Sequence, residues 1–200
     1  MHLQKSMTIV AASLLVASVA FGADKYETDL AHSSVTFSVK HLVISNTKGE
    51  FRDFTGTIML DESDIAKSSV NVTIKAASIN THDDKRDAHL RSADFFDAEK
   101  HPEITFKSKK IEKSGNDYKL TADLTLRGVT KEVSFPFTLV GPITDPRGNK
   151  RIAAQATFTV NRQDFGVSWN KTLDTGGVLA GDEVTLTIEV EAVHSKAEAN

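Results

Sequence analysis

The 200-residue chain contains no cysteine. That absence excludes disulfides, thiol catalysis, thiolate metal sites, haem attachment through a CxxCH motif and a lipid anchor on an N-terminal cysteine. A basic cluster is also lacking, and the formal net charge is −3. A mildly acidic surface of this kind argues against nucleic acid and against an anionic membrane surface as partners. There is no GxSxG elbow: GVSWN, Gly166 to Asn170, carries only its first half, without a strand–turn–helix context. No internal repeat and no low-complexity segment occurs, and no second long hydrophobic run follows the N-terminus, so no stable membrane anchor is expected.

What is present begins with the N-terminus. Lys5 gives a weakly positive start, and Met7 to Phe21 form a mostly apolar run too short to span a bilayer comfortably. Ala20 and Gly22 are small residues at the two positions a signal peptidase reads. Residues 1–22 are predicted to be a cleaved secretory signal, and 23–200 a single domain beginning at Ala23. Losing Lys5 takes the formal charge to −4. The remaining length is comfortable for one domain with a sizeable core. An exported chain without disulfides relies on that core and on sheet hydrogen bonds.

After Ala23 the sequence alternates with period two. Val35, Phe37 and Val39 are set against Thr36, Ser38 and Lys40; Leu120, Ala122 and Leu124 against Thr121, Asp123 and Thr125. Such alternation marks strands with one apolar and one wet face. Eight strands are predicted, at 33–44, 47–60, 68–80, 102–114, 117–127, 129–142, 150–161 and 182–194. Short turn-rich links favour up-and-down antiparallel neighbours. Pro136, inside the sixth, predicts a bulge or an unpaired backbone position. Strands of about 11 to 13 residues reach roughly 35 to 45 Å, longer than a compact sandwich uses. The expectation is therefore an all-β, extended eight-stranded antiparallel barrel, lipocalin-like in having room for one small ligand. A long apolar tube suits a long apolar molecule.

Two stretches lack strand character. The first, THDDKRDAHLRSADFF at Thr81–Phe96, is rich in histidine, arginine and aspartate. Thr81 or Asp83 can cap a short helix whose Leu90, Phe95 and Phe96 plug one barrel end, leaving the charges as a salt-bridged, solvated surface. The alternative is a metal site, but His82 and His89 are seven apart, where ligands on one helix use spacings of three or four. Further ligands would have to come from His101 or His32. The second stretch, NRQDFGVSWNKTLDTGG at Asn161–Gly177, is predicted to be a long hairpin loop held by a buried Arg162–Asp164 interaction. Phe165, Trp169 and Asn170 are placed at the mouth of the tube, where an indole and an amide can meet a ligand's head.

The residues expected to face a ligand are Phe37, Val39, Phe51, Phe54, Ile58 and Ile74 on the first three strands. Phe106, Leu120, Leu124, Phe135 and Phe137 follow on the next three, with Ile152, Ala154, Phe158 and Leu186 on the last two. Leu90 and Phe96 come from the cap. An inward aromatic is more often plain core than ligand contact, so a barrel filled by its own side chains, in an exported stress or interaction protein, stands as the alternative; a His/Asp metal enzyme is the remote one. No catalytic residue, metal or cofactor is expected.

Several motifs carry a family resemblance. They are DxxHSSVTFSVKHL from Asp29, GEFRDFTGTI from Gly49, SINT from Ser78, and RDAHLRSADFFDAEKHPEITFKS from Arg86. LTLRGVTKEV from Leu124 and RxDFG from Arg162 complete the set. In this order the chain resembles the YceI-like family of bacterial periplasmic, lipocalin-like, polyisoprenoid-binding proteins from Tyr26 to Val193. The resemblance implies a periplasmic barrel whose lumen takes up an isoprenoid chain, a quinone tail or a fatty acid amide. It also implies that the DAHLRSADFF segment is a fold-defining cap. Ligand identity, head group and oligomeric state, a homodimer among the options, are left open.

Overall fold

The computed structural model describes residues 22–172 and 178–195. The predicted signal, all but Gly22, lies outside these residues, as do positions 173–177 of the second loop and 196–200 of the C-terminal tail.

Eleven strand segments and one helix follow in order: β1 Asp24–Thr28, β2 Ser34–His41, β3 Ser45–Phe51, β4 Phe54–Leu60, β5 Ser69–Lys75, β6 Ile79–Asn80 and α1 Asp84–Arg91. Then come β7 Glu103–Ser114, β8 Asp117–Leu126, β9 Val129–Thr144, β10 Lys150–Asn161 and β11 Ala180–His194. The eleven segments fill eight positions. β1 and β2 lie along the same edge of β11, through Thr28↔Ala192 and Glu189↔Ser34. β4 and β3 pair with β1 and β2 respectively, and β5 and β6 with β4 and β3. β7 to β11 continue the antiparallel meander, and β1 against β11 closes an eight-stranded barrel. The expected strand number and closure are present.

The early strands differ from expectation in being broken. The 47–60 stretch divides at Arg52 and Asp53, and 68–80 at a 3-10 turn over Ala76–Ser78. β1, absent from the sequence reading, continues the first strand backward across a second turn, Leu30–His32. Local side chains cause that last break. Asp29 accepts from the Ala31 N–H at 3.1 Å, and the Ser33 hydroxyl donates to the Asp29 carbonyl at 2.7 Å. Such contacts offer the backbone an alternative to the ladder.

The β8–β9 hairpin shows how one turn is specified. Arg127 and Gly128 both have positive φ, 49° and 75°, as a two-residue primed turn requires. A Cβ on Gly128 would lie 2.8 Å from His101 Cε1, so the histidine of the cap segment needs glycine beneath it. Two ends can now be distinguished. The cap end holds α1, this hairpin turn and residues 162–172; the foot holds the start of β1, the 61–68 link and the end of β11. Among the described residues no helix is long and apolar enough to cross a membrane.

Candidate functional site: the barrel lumen

Inward side chains of consecutive strands leave a cavity of about 260 Å³ inside the barrel. β10 contributes Ala154, Ala156, Phe158 and Val160, and β11 contributes Val184, Leu186, Ile188 and Val190, so the period-two phase of the sequence builds the wall directly. Ligand pockets for drug-sized molecules run from about 300 to 1,000 Å³. A cavity just below that range, enclosed by long strands, fits a slender chain better than a bulky ring system. Thr28, Gln155 and Arg162 are the polar residues along it, and Gln155, in the outward phase between Ala154 and Ala156, has its side chain exposed.

Arg162 has no freedom to serve as a ligand hook. Its side chain, 5% exposed, donates to the carbonyls of Gly181 at 2.8 Å, Val167 at 2.7 Å and Trp169 at 2.9 Å, and to Asp182 Oδ1 at 3.0 Å. The expected Arg162–Asp164 interaction is therefore corrected: Asp164 is exposed, and the guanidinium reaches across to β11. Five N–H groups in a fixed fork let one arginine tie Val167 and Trp169 to the start of β11.

The cap forms as expected from Leu90, Phe95 and Phe96, which face the lumen, with Phe96 edge-on to Phe51 at 5.7 Å between centroids. Asp83 is the N-cap, accepting from the Arg86 N–H at 3.0 Å. Part of the segment is the expected salt-bridged, solvated surface, with Asp84 and Lys85 exposed and His89 Nε2 2.9 Å from Asp94, but other charges are tied into the fold. Asp87 is 2% exposed and accepts from the Thr81 N–H at 2.9 Å and hydroxyl at 2.5 Å. Arg86 donates to Thr81, Arg91 to the Ala77 and Ile79 carbonyls, and Arg127 to the Ala93 and Gly166 carbonyls. The arginines staple the cap to the barrel through the backbone.

Four expected ligand residues lie off the cavity wall. Ile152 packs at the foot with Tyr26, Leu60 and Ala192, where the tube narrows to solid core. Phe165 is buried in the cap-end cluster with Val35 and Phe51. Trp169 packs on α1, 4.8 Å from the His89 ring and 5.2 Å from Phe95, joining the loop to the cap from outside the lumen. Asn170 uses its amide on the Ala180 backbone, donating at 2.7 Å and accepting at 3.1 Å. The rest of the expected set lines the cavity, from Phe37 and Val39 through Phe106, Leu124 and Phe135 to Leu186. The sequence reading passed over Val70, Val72, Val184 and Val190, which share the inward phase of residues it named. It also passed over Thr28 and Arg162, which carry no apolar signal.

Among the described residues, the histidine and carboxylate side chains close enough together for a metal are Asp29, His32 and Glu191, away from the 81–101 segment. A cation already stands among them. Arg151 Nη1 donates to Asp29 at 2.8 Å and to Glu191, while Nε reaches Asp145 at 2.9 Å. The Arg151 hydrogen bond, helped by His32, pulls the Asp29 carboxyl down to about 2. Arg151 likewise holds Asp145 well below the usual carboxylate range, with the Asn149 N–H adding to it. This network clamps β1, β10 and β11 on the outside of the foot. It is structural.

The geometry agrees with what the chain is similar to. Protein YceI of Escherichia coli O17:K52:H18 is 42% identical over 187 residues, spanning 93% of this chain and 95% of that protein. A UPF0312 protein of Pectobacterium atrosepticum is 41% identical over 192 residues, spanning 95% and 97%. The crystal structure of Burkholderia cenocepacia BcnA superposes with a TM-score of 0.72 at 27% identity, covering 82% of this chain and 98% of that one. The YceI-like domain matches residues 26–192, nearly the whole described barrel, and the chain belongs to the YceI-like family.

Proposed function

We propose that the protein is a periplasmic lipid-binding protein: it holds one long-chain amphiphile, such as a polyisoprenoid, a quinone tail or a fatty acid amide, in its lumen for sequestration or transport. The observation that carries this reading is the lining itself, apolar along the barrel apart from Thr28, Gln155 and the already saturated Arg162. Each methylene transferred from water to such a wall gains roughly 0.8 kcal/mol, so ten carbons gain about 8 kcal/mol before ordering costs are subtracted. Among the described residues no carboxylate, histidine or serine lines the cavity, which favours holding a molecule over transforming it. Residues 1–22 would direct export and be removed, leaving Ala23 at the N-terminus.

Solvent extraction of protein purified from the periplasmic fraction, followed by mass spectrometry, tests the reading. One long-chain species per chain is expected, on a polypeptide whose intact mass begins at Ala23. A protein that yields no stoichiometric lipid and accepts none would have to work through its surface.

A further inference from the structure

One seam of the barrel is laddered over only part of its length. The β9–β10 ladder runs from Lys150↔Thr144 to Ala156↔Phe137 and stops there, although β9 begins eight residues earlier at Val129 and β10 continues to Asn161. The flanking seams keep their ladders over the same stretches, β8–β9 from Tyr118↔Phe137 to Leu126↔Val129 and β10–β11 through to Asn161↔Glu183. Pro136 stands where the ladder ends and has no N–H to give. Continuing the register would set Phe135 opposite Phe158, Ser134 opposite Thr159 and Val133 opposite Val160.

Side chains close this slit from within. The Phe135 and Phe158 rings stack across it, 3.9 Å apart and 2° from parallel, and both line the lumen. At the cap end Arg127 donates to the Gly166 carbonyl and bounds the slit there. Outside its other end lies a recess of about 310 Å³, walled by Pro136 to Thr138, Gln155 to Thr157 and part of β11. Phe137, Gln155, Ala156 and Ile188 line both this recess and the lumen. The recess therefore lies where the laddered and unladdered parts of the seam meet.

We infer that this slit is a lateral entry site, through which a long apolar chain threads from the β9–β10 recess into the lumen. The inference rests on the lipid-holding reading. The competing route is the cap end, where entry must break the Arg86, Arg91 and Arg127 bonds to backbone carbonyls and lift Leu90, Phe95 and Phe96 off the barrel. At the slit no ladder bonds need break. Entry needs rotation of two stacked rings that have no polar atoms to strand. Backbone groups along the slit can find water on the outer side, which removes the usual cost of an open seam. Gln155, exposed beside the recess and present on both walls, gives the entering molecule's polar end an amide to meet.

The absence of native cysteine makes the test direct. Ser134→Cys with Thr159→Cys, both exposed positions, would be joined by a short bifunctional thiol reagent across the slit. Thr159→Cys with Thr185→Cys, joined in the same way across the fully laddered β10–β11 seam, is the control. The readout is the stopped-flow rate of cis-parinaric acid uptake by delipidated protein, with occupancy at equilibrium. Bridging the slit is expected to slow uptake at least tenfold and leave final occupancy unchanged, while the control stays within twofold of the wild type. Normal uptake by bridged protein overturns lateral entry and leaves the lipid-holding reading intact. Wild-type protein that never takes up the probe overturns both. Hydrogen exchange on the unmodified chain gives a second measure: amides of 129–135 and 157–161 directed at the slit should exchange faster than those bonded across the β10–β11 ladder. Equal protection on the two seams would also overturn the proposal.

Discussion

The two ends of the barrel are closed by different physics. The foot is closed by packing: Tyr26, Leu60, Ile152 and Ala192 interlock with almost no exposed surface, and the Arg151 network clamps the strands from outside. The cap end is closed by direction: Arg86, Arg91, Arg127 and Arg162 each aim N–H groups at backbone carbonyls, and Asp87 ties Thr81 to α1. Apolar packing needs only volume and phase, so it extends the barrel wall into a plug. Polar staples need particular atoms at particular places, and they let loops without strand pairing hold one shape over an apolar cavity.

That comparison can be broken at either end. Arg162→Met should be the most damaging change, because it strands the Val167, Trp169 and Gly181 carbonyls in a site with little water; a loss on the order of 4 kcal/mol is expected from chemical denaturation. Ile152→Ala should cost about 2 to 4 kcal/mol through the cavity it leaves at the foot. Since Ile152 is off the lumen wall, its lipid content should match the wild type. A parallel loss of lipid would mean that the foot is part of the binding site.

The outer clamp sharpens the contrast through pH. Asp29 has a folded pKa of about 2, below its ordinary 3.8, so its contribution is fully present above pH 4 and is lost as pH falls toward 2. Asp29→Asn should flatten that part of the stability–pH curve, measured by thermal melts from pH 5 to 2, and an unchanged curve would place the acid sensitivity elsewhere. Tyr26→Phe should have the smallest effect. The Tyr26 hydroxyl is buried with no hydrogen-bond partner among the described residues, so its removal is expected to leave the melting temperature unchanged or slightly raised.

The sequence made the wall far more legible than the ends. Period-two alternation places Leu186 and its neighbours at i±2 on one face, and a closed barrel has only one inside, so that face becomes the lumen. The foot was not legible because β1 reads DKYET, three charges around one tyrosine, and its role comes from closing against β11 more than 160 residues later. The cap was legible as a plug through Leu90, Phe95 and Phe96. Two charges at this end were not legible: Asp87 is buried on Thr81 and not solvated, and Arg162 bonds to Asp182 and not to Asp164. Trp169 was drawn to the lumen by its amphipathic ring, but the nearest apolar surface was the outer side of α1.

The central claim is that the lumen is room for a ligand and not unfilled core. Ala154 and Ala156 are small residues on its wall, where added bulk enters open space. Native mass spectrometry of exported wild-type protein and Ala154→Phe, paired with thermal melts of delipidated samples because bound ligand itself raises stability, tests this most directly. The account predicts one long-chain molecule per wild-type chain, much less on the variant, and melting temperatures within a few degrees of each other. A wild type that carries no lipid, together with a variant strained by about 1 to 3 kcal/mol as overpacked cores are, would contradict it.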